Sequence, residues 1–168
     1  TNSSNALFLA CYYHKVSKVI LPSHTYVSVP CSVIHAGGKV VFEDYKWIGE
    51  YQLNPYPIYD SACQLKKGMY KSGTHQCISF SANKPLPIGK GGMIFTDDLD
   101  AVIWYKKARY EGRSEVPVLQ DSFDMLGWNM YMQAEQAARG LILLSHVKED
   151  IIHNNTYPDL SKFEIYSR

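Results

Sequence analysis

The chain has 168 residues, with 17 basic and 16 acidic side chains and a formal charge of +1. No run of Lys or Arg exceeds two residues and no apolar run is long enough to span a bilayer, so neither a nucleic-acid footprint nor a membrane anchor is expected. Its four cysteines, Cys11, Cys31, Cys63 and Cys77, form no CxxC pair, which argues against a zinc site and for reduced thiols in a cytosol-like compartment.

The opening "TNSSNALFLACYYHK" carries no basic leader and no cleavage site, and a cytoplasmic protein is expected. Apolar periodicity then switches repeatedly between two types. Ala6–His14 reads as a helix, Lys18–Ser23 as a strand, and Tyr26–Gly37 as a helix with Pro30 in its first turns, where proline costs least. Lys39–Asp44 reads as a strand. The polar, aromatic link "YKWIGEYQLNPY" (Tyr45–Tyr56) follows and shows no helix pattern. Pro57–Asp60, Gln76–Phe80 and Gly91–Thr96 read as three more strands. Asp98–Gly112 is predicted helical, with acids first and bases last as the helix dipole prefers, and Met132–Val147 is a second helix. The closing "HNNTYPDLSKFEIYSR" reads as an extended tail that docks on something. The alternation predicts an α/β domain over residues 1–147 and a residual tail over 148–168.

Ligands of open α/β sheets bind beyond the carboxyl ends of the strands. There the chain offers Pro22-Ser23-His24-Thr25-Tyr26, Asp60, and Ser81-Ala82-Asn83-Lys84. Upstream, Thr1-Asn2-Ser3-Ser4-Asn5 forms an N-cap cluster, and a helix N-terminus with hydroxyls suits a phosphate. A lysine amine for a Schiff base, a carboxylate for a ring nitrogen, an aromatic and a phosphate cradle are what pyridoxal phosphate needs. Each residue also has a plainer reading. Asp60 suits the cap of a following helix, and Ser3 and Ser4 the cap of the first. Tyr26 suits a packed interface, Asn129 a helix cap, and Cys63 a small buried residue. The histidines show no ligand spacing, and no metal is expected.

Three blocks carry a resemblance. "PSHTYVSVPCSVIHAGGKVVFED", "ISFSANKPLPIGKGGMIFTDD" and "GWNMYMQAEQAARGL" stand in that order with their internal spacing kept. They resemble the DegT/DnrJ/EryC1/StrS aminotransferases, the sugar aminotransferases of fold type I. The resemblance implies the three-layer large domain of a fold type I pyridoxal phosphate transferase. Its central sheet would be mainly parallel and its small C-terminal domain largely absent.

Position by position, the resemblance makes Lys84 the lysine that carries pyridoxal 5'-phosphate and moves the substrate proton. Asp60 would pair with the pyridine nitrogen, Tyr26 would stack on the ring, and Ser79 would bind the phosphate. Ser3 and Ser4 fall where the family has Gly-Thr at the phosphate. Cys63, with Gln64 beside it, stands where the family has His or Gln. Asn129 matches an asparagine that reaches the phosphate of the neighbouring subunit, which implies a homodimer with shared active sites. Besides Cys63, three positions depart from the pattern: Tyr131 replaces an arginine, Lys90 a glutamate and Ser81 a histidine. The implied activity is transfer of an amino group from an amino acid, glutamate first, to a keto group of a nucleotide-linked sugar. The alternative is a pyridoxal phosphate-binding remnant with a regulatory or partner-binding role and little turnover.

Overall fold

The computed structural model describes residues 1–166. Its elements run in the order α1 (Ser3–Tyr13), β1 (Lys18–Pro22), α2 (Ser28–His35), β2 (Lys39–Glu43), β3 (Tyr51–Gln52) and β4 (Ile58–Asp60). They continue with β5 (Gln64–Leu65), β6 (His75–Ser79), β7 (Gly92–Phe95), α3 (Leu99–Ala108), α4 (Ala134–Leu144) and β8 (Ile151–Ile152).

The central sheet has the order β3-β4-β6-β7, with β1-β2 beside it and β5-β8 as a separate ribbon. A single bridge, Ile20 N–H to Asn54 O at 2.8 Å, links the β1-β2 pair to the segment after β3. The expected parallel pairs are present as β1–β2 and β4–β6. Antiparallel pairs join them at β3–β4 and β6–β7, so the central sheet is mixed rather than mainly parallel. Strand β3 arises inside the Tyr45–Tyr56 link, where the sequence shows no strand pattern. Two residues are too few to display alternation, and their pairing with β4 is what defines them.

Every residue of β6 is buried, as befits a strand covered on both faces. On one face lies α1, which buries Ala6, Leu7, Leu9, Ala10 and Cys11 against the sheet and its neighbouring helices. Leu7, Val19, Leu21, Val33, Leu53, Ile58 and Cys77 form the main core there. On the other face, Ile78 and Phe80 pack with Leu86 and Ile88 of the β6–β7 loop, and Leu143 of α4 leans on that cluster. The result is helix, sheet, and helix with loop: three layers.

Local chemistry sets the helix ends. Asn2 accepts the N–H of Asn5 at 2.8 Å and starts α1 three residues earlier than the apolar pattern does. Pro30 is the third residue of α2, where its missing N–H costs no helical bond. Asp98 caps α3 through the N–H of Ala101 at 3.0 Å. That helix stops at Ala108 rather than Gly112. The segment around Trp128 takes over its last carbonyls, with Trp128 N–H to Ala108 O at 2.6 Å and Met130 N–H to Arg109 O at 2.8 Å. No helix is long and apolar enough to cross a membrane among the described residues.

Candidate active site

Because β4 and β6 are parallel and in register, Asp60 beside Cys77, their carboxyl ends open at one edge of the sheet. The N-terminus of α1 and the turn after β1 reach the same edge. Between them is a cavity of about 510 Å³ that Ser3, Ser4, Tyr26, Asp60, Cys63, Ser79 and Lys84 all line.

Lys84 owes its place to the long link between β6 and β7. Phe80 N–H bonds Gly91 O at 2.9 Å and Gly89 N–H bonds Phe80 O at 3.1 Å, so the link leaves and re-enters the sheet as a closed loop. Gly89 makes the return with φ +108°, a conformation that L side chains resist. Leu86 and Ile88 are buried and pin the loop to Ile78 and Phe80. A turn from Lys84 N–H to Ser81 O at 3.0 Å then holds the lysine at the cavity rim.

Asp60 is only 6% exposed. Its Oδ1 accepts the N–H of Ala62 and its Oδ2 the hydroxyl of Tyr51, both at 3.1 Å. Tyr51 OH is itself hydrogen-bonded to Thr25 Oγ1. Burial pushes the Asp60 carboxyl above its usual pKa, opposed by the Ala62 N–H, the Lys84 charge and the Tyr51 hydroxyl. The Tyr51 phenol is pushed far up by burial and by the Asp60 charge, so it remains a donor to the carboxylate.

The phosphate-facing side is built from main chain and hydroxyls. Ser3 and Ser4 open α1, whose first N–H groups have no helical partners. The Ser79 hydroxyl contacts Ser81 Oγ at 3.3 Å. Gly92 sets the height of α1: a Cβ there would fall 2.3 Å from Asn2 C and 2.6 Å from Ser3 N. Gly92, the first residue of β7, therefore lets the helix N-terminus descend onto the sheet edge.

Tyr26 stands at the mouth with more than half of its surface exposed. Its ring meets Tyr157 edge-on at 6.1 Å, and Tyr157 stacks on Trp47 at 5.8 Å. Cys63 faces the cavity, with its Sγ 3.3 Å from Lys84 Nζ. Gln64, one residue on in β5, turns the other way and packs its Oε1 under Gly49, outside the cavity lining. Asn129 lies away from this chain's own cavity and donates to Glu111 Oε1 at 2.7 Å. Tyr131, in the place of the family's arginine, packs against Tyr110 at 5.4 Å.

Sequence reasoning did not find Tyr51, Asn155 or Tyr157. Asn155 and Tyr157 come from the tail, which is fastened along the cavity rim. Strand β8 pairs with β5, His153 N–H bonds Cys63 O at 2.8 Å, and Leu160 N–H bonds Ser23 O at 2.9 Å. Tyr51 is delivered by its register opposite Asp60.

Pyridoxal phosphate fits this set of donors. The cavity offers two lysine amines, Lys84 beside a thiol and Lys90, one buried carboxylate held by two donors, the N-terminus of α1 and a half-exposed tyrosine ring.

Comparison with known proteins supports the same reading of the fold. AtS13 from Actinomadura melliaura superposes with a TM-score of 0.75 at 16% identity, covering 86% of this chain and 54% of that one. DesV from S. venezuelae gives 0.70 at 19%, covering 87% and 51%. PseC of Helicobacter pylori, an aminotransferase involved in the biosynthesis of pseudoaminic acid, gives 0.69 at 18%, covering 85% and 51%. The chain thus spans about half the length of the solved structures it matches. No curated protein matches it significantly. The family model of the DegT/DnrJ/EryC1/StrS aminotransferases matches residues 63–161. Over more than half of its length, then, the chain carries the pattern of the DegT/DnrJ/EryC1/StrS aminotransferase family, a family of pyridoxal phosphate-dependent transaminases, and it belongs to that family.

Proposed function

We propose that this chain forms the cofactor-binding part of an aminotransferase that moves an amino group from an amino acid, glutamate first, to a nucleotide-linked keto sugar. One observation carries the reading. Lys84 is held at the rim of the cavity that also contains a buried carboxylate and the N-terminus of α1. Residues 1–147 are the binding unit in this reading, and 148–168 are a tail that finishes its rim. The proposed setting is the cytoplasm, in keeping with four free cysteines.

Pyridoxal phosphate, when bound, supplies an electron-accepting ring. Lys84 would hold it covalently through Nζ. Asp60 would keep the ring nitrogen protonated, and a cation there would in turn stabilise the buried carboxylate. Tyr26 would cover a ring face. Ser79, Ser3, Ser4 and the first N–H groups of α1 would take the phosphate. Lys84 Nζ would also be the base that moves the substrate proton. Tyr51 and Thr25 keep the Asp60 carboxylate oriented.

The active unit is proposed to be a homodimer. Leu126 and Leu141 are 91% and 71% exposed in the single chain, and Asn129 lies outside its own cavity. Such apolar exposure on α4 and the preceding loop is unusual for a free surface.

The test is a titration of the protein with pyridoxal phosphate. A visible absorbance band should appear with wild type and be absent with Lys84→Ala. Added glutamate should then bleach the band of wild type. Tyr131 in place of an arginine, packed on Tyr110, favours a second reading in which the cofactor is bound with little turnover. A band that no amino donor shifts selects that second reading.

A further inference from the structure

Lys84 has a reactive neighbour. Its Nζ is 3.3 Å from Cys63 Sγ, and the sulfur also meets Asn155 Nδ2 at 3.3 Å and Tyr157 OH at 3.5 Å. This thiol therefore sits in a polar corner of the cavity, with an amine in direct contact. The other cysteines differ. Cys11 and Cys77 are completely buried in the apolar core, and burial raises both thiols, Cys11 to about 12. Cys31 has no hydrogen-bonded amine among the described residues.

We propose that Cys63 and Lys84 form an oxidation-dependent covalent cross-link, a sulfenamide, that withdraws the lysine from cofactor binding. Hydrogen peroxide, small enough to enter a cavity of about 510 Å³, is the oxidant. The Cys63 sulfur attacks one peroxide oxygen. The O–O bond breaks, the sulfur is oxidised by two electrons to the sulfenic acid, and one water leaves. The Lys84 amine, once it has given its ammonium proton to solvent, then attacks that sulfur. An S–N bond forms, the S–O bond breaks, and the departing hydroxide takes an amine proton as a second water. Thiol, amine and peroxide give the sulfenamide and two waters, so the protein loses two hydrogens. Sulfenic acids are known to condense with a nearby backbone nitrogen in this way. Here the nitrogen is a side-chain amine on a flexible four-carbon stem, which can close the gap. One thiol attacks the sulfur, which frees the Lys84 amine and leaves a mixed disulfide on Cys63; a second thiol then displaces Cys63 as the thiol and departs as the disulfide.

The link itself stands on the Cys63–Lys84 contact, and its consequence for the cofactor rests on the function proposed above. Whole cofactor-free protein is treated with hydrogen peroxide and weighed by intact mass spectrometry. The expected product is about 2 Da lighter. Proteolytic fragments containing Cys63 and Lys84 should be joined, and dithiothreitol should separate them. Cys63→Ser should give no such product. In Lys84→Ala the sulfenic acid has no amine to meet, so dimedone should label Cys63. Oxidation of Cys63 to heavier acids with Lys84 free, or oxidation confined to Cys31, overturns the proposal. Pyridoxal phosphate is then added to oxidised and reduced samples. Cross-linking without any cofactor band in the reduced protein upholds the link and removes the cofactor reading. A band in the reduced protein with no cross-link after peroxide does the reverse.

Discussion

Asp60 shows how one residue can favour the cofactor and disfavour the empty fold. Its carboxyl is buried, and burial raises its folded pKa above the ordinary value of 3.8 against the opposing Lys84 charge. A group with a raised folded pKa stabilises most below its unfolded pKa, and that contribution is lost as pH rises through the folded value. At neutral pH the ionised Asp60 therefore costs the cofactor-free protein stability. Asp60→Asn keeps the shape and removes the charge. We expect its melting temperature without cofactor to exceed wild type at pH 7, and the gap to close as pH falls below about 3.8. In the proposed site the same variant would lose a buried charge pair to the ring nitrogen. Pyridoxal phosphate affinity should fall by about 2 kcal/mol or more, roughly 30-fold in Kd. Calorimetry and absorbance titration separate the two effects.

At the scale of elements, the site depends on α1 standing close to the start of β7. Gly92 permits that approach, since any Cβ there would collide with the backbone of Asn2 and Ser3. Gly92→Ala must push the N-terminus of α1 outward, at a cost of roughly 1–3 kcal/mol from overpacking. Both the melting temperature and the affinity for pyridoxal phosphate should drop, although residue 92 itself touches no ligand. Unchanged affinity would mean that the helix N-terminus does not hold the phosphate.

The element scale also explains what the sequence could disclose. The strand ends, the lysine loop and the capped helix α3 are local patterns, and they were legible at Asp60, at Ser81–Lys84 and at Asp98. Residues brought in by long-range pairing were not. Tyr51 reaches Asp60 through a two-residue antiparallel register, and Tyr157 reaches Cys63 because β8 pairs with β5. Neither strand is long enough to show alternation. The end of α3 differs from its sequence pattern for a similar reason, because the competing donor to the Ala108 carbonyl, the Trp128 N–H, lies far along the chain.

For the whole molecule, a histidine pair, His75 buried and His14 half-buried, ties stability to pH. The His75 and His14 rings lie 4.4 Å apart, and His75 Nδ1 is hydrogen-bonded to Tyr105 OH at 3.0 Å. Burial, aided by the nearby His14, lowers His75 from 6.5 to about 4, and His14 is lowered too. Depressed folded values mean stability that is present above pH 6.5 and lost as pH falls toward 4. Urea midpoints measured across that window should decline steadily. His75→Gln, which keeps a partner for Tyr105, should flatten the decline in part, with His14 accounting for the remainder.

Three layers, a mixed sheet and a tail fastened at the rim all converge on the position of one amine. The most direct measurement is therefore chemical. The protein is incubated with pyridoxal phosphate and reduced with borohydride, and its fragments are mapped by mass. A stable phosphopyridoxyl group on Lys84, absent from Lys84→Ala, is the predicted result. A group found on Lys90 or another lysine, with Lys84 unmodified, would contradict the account.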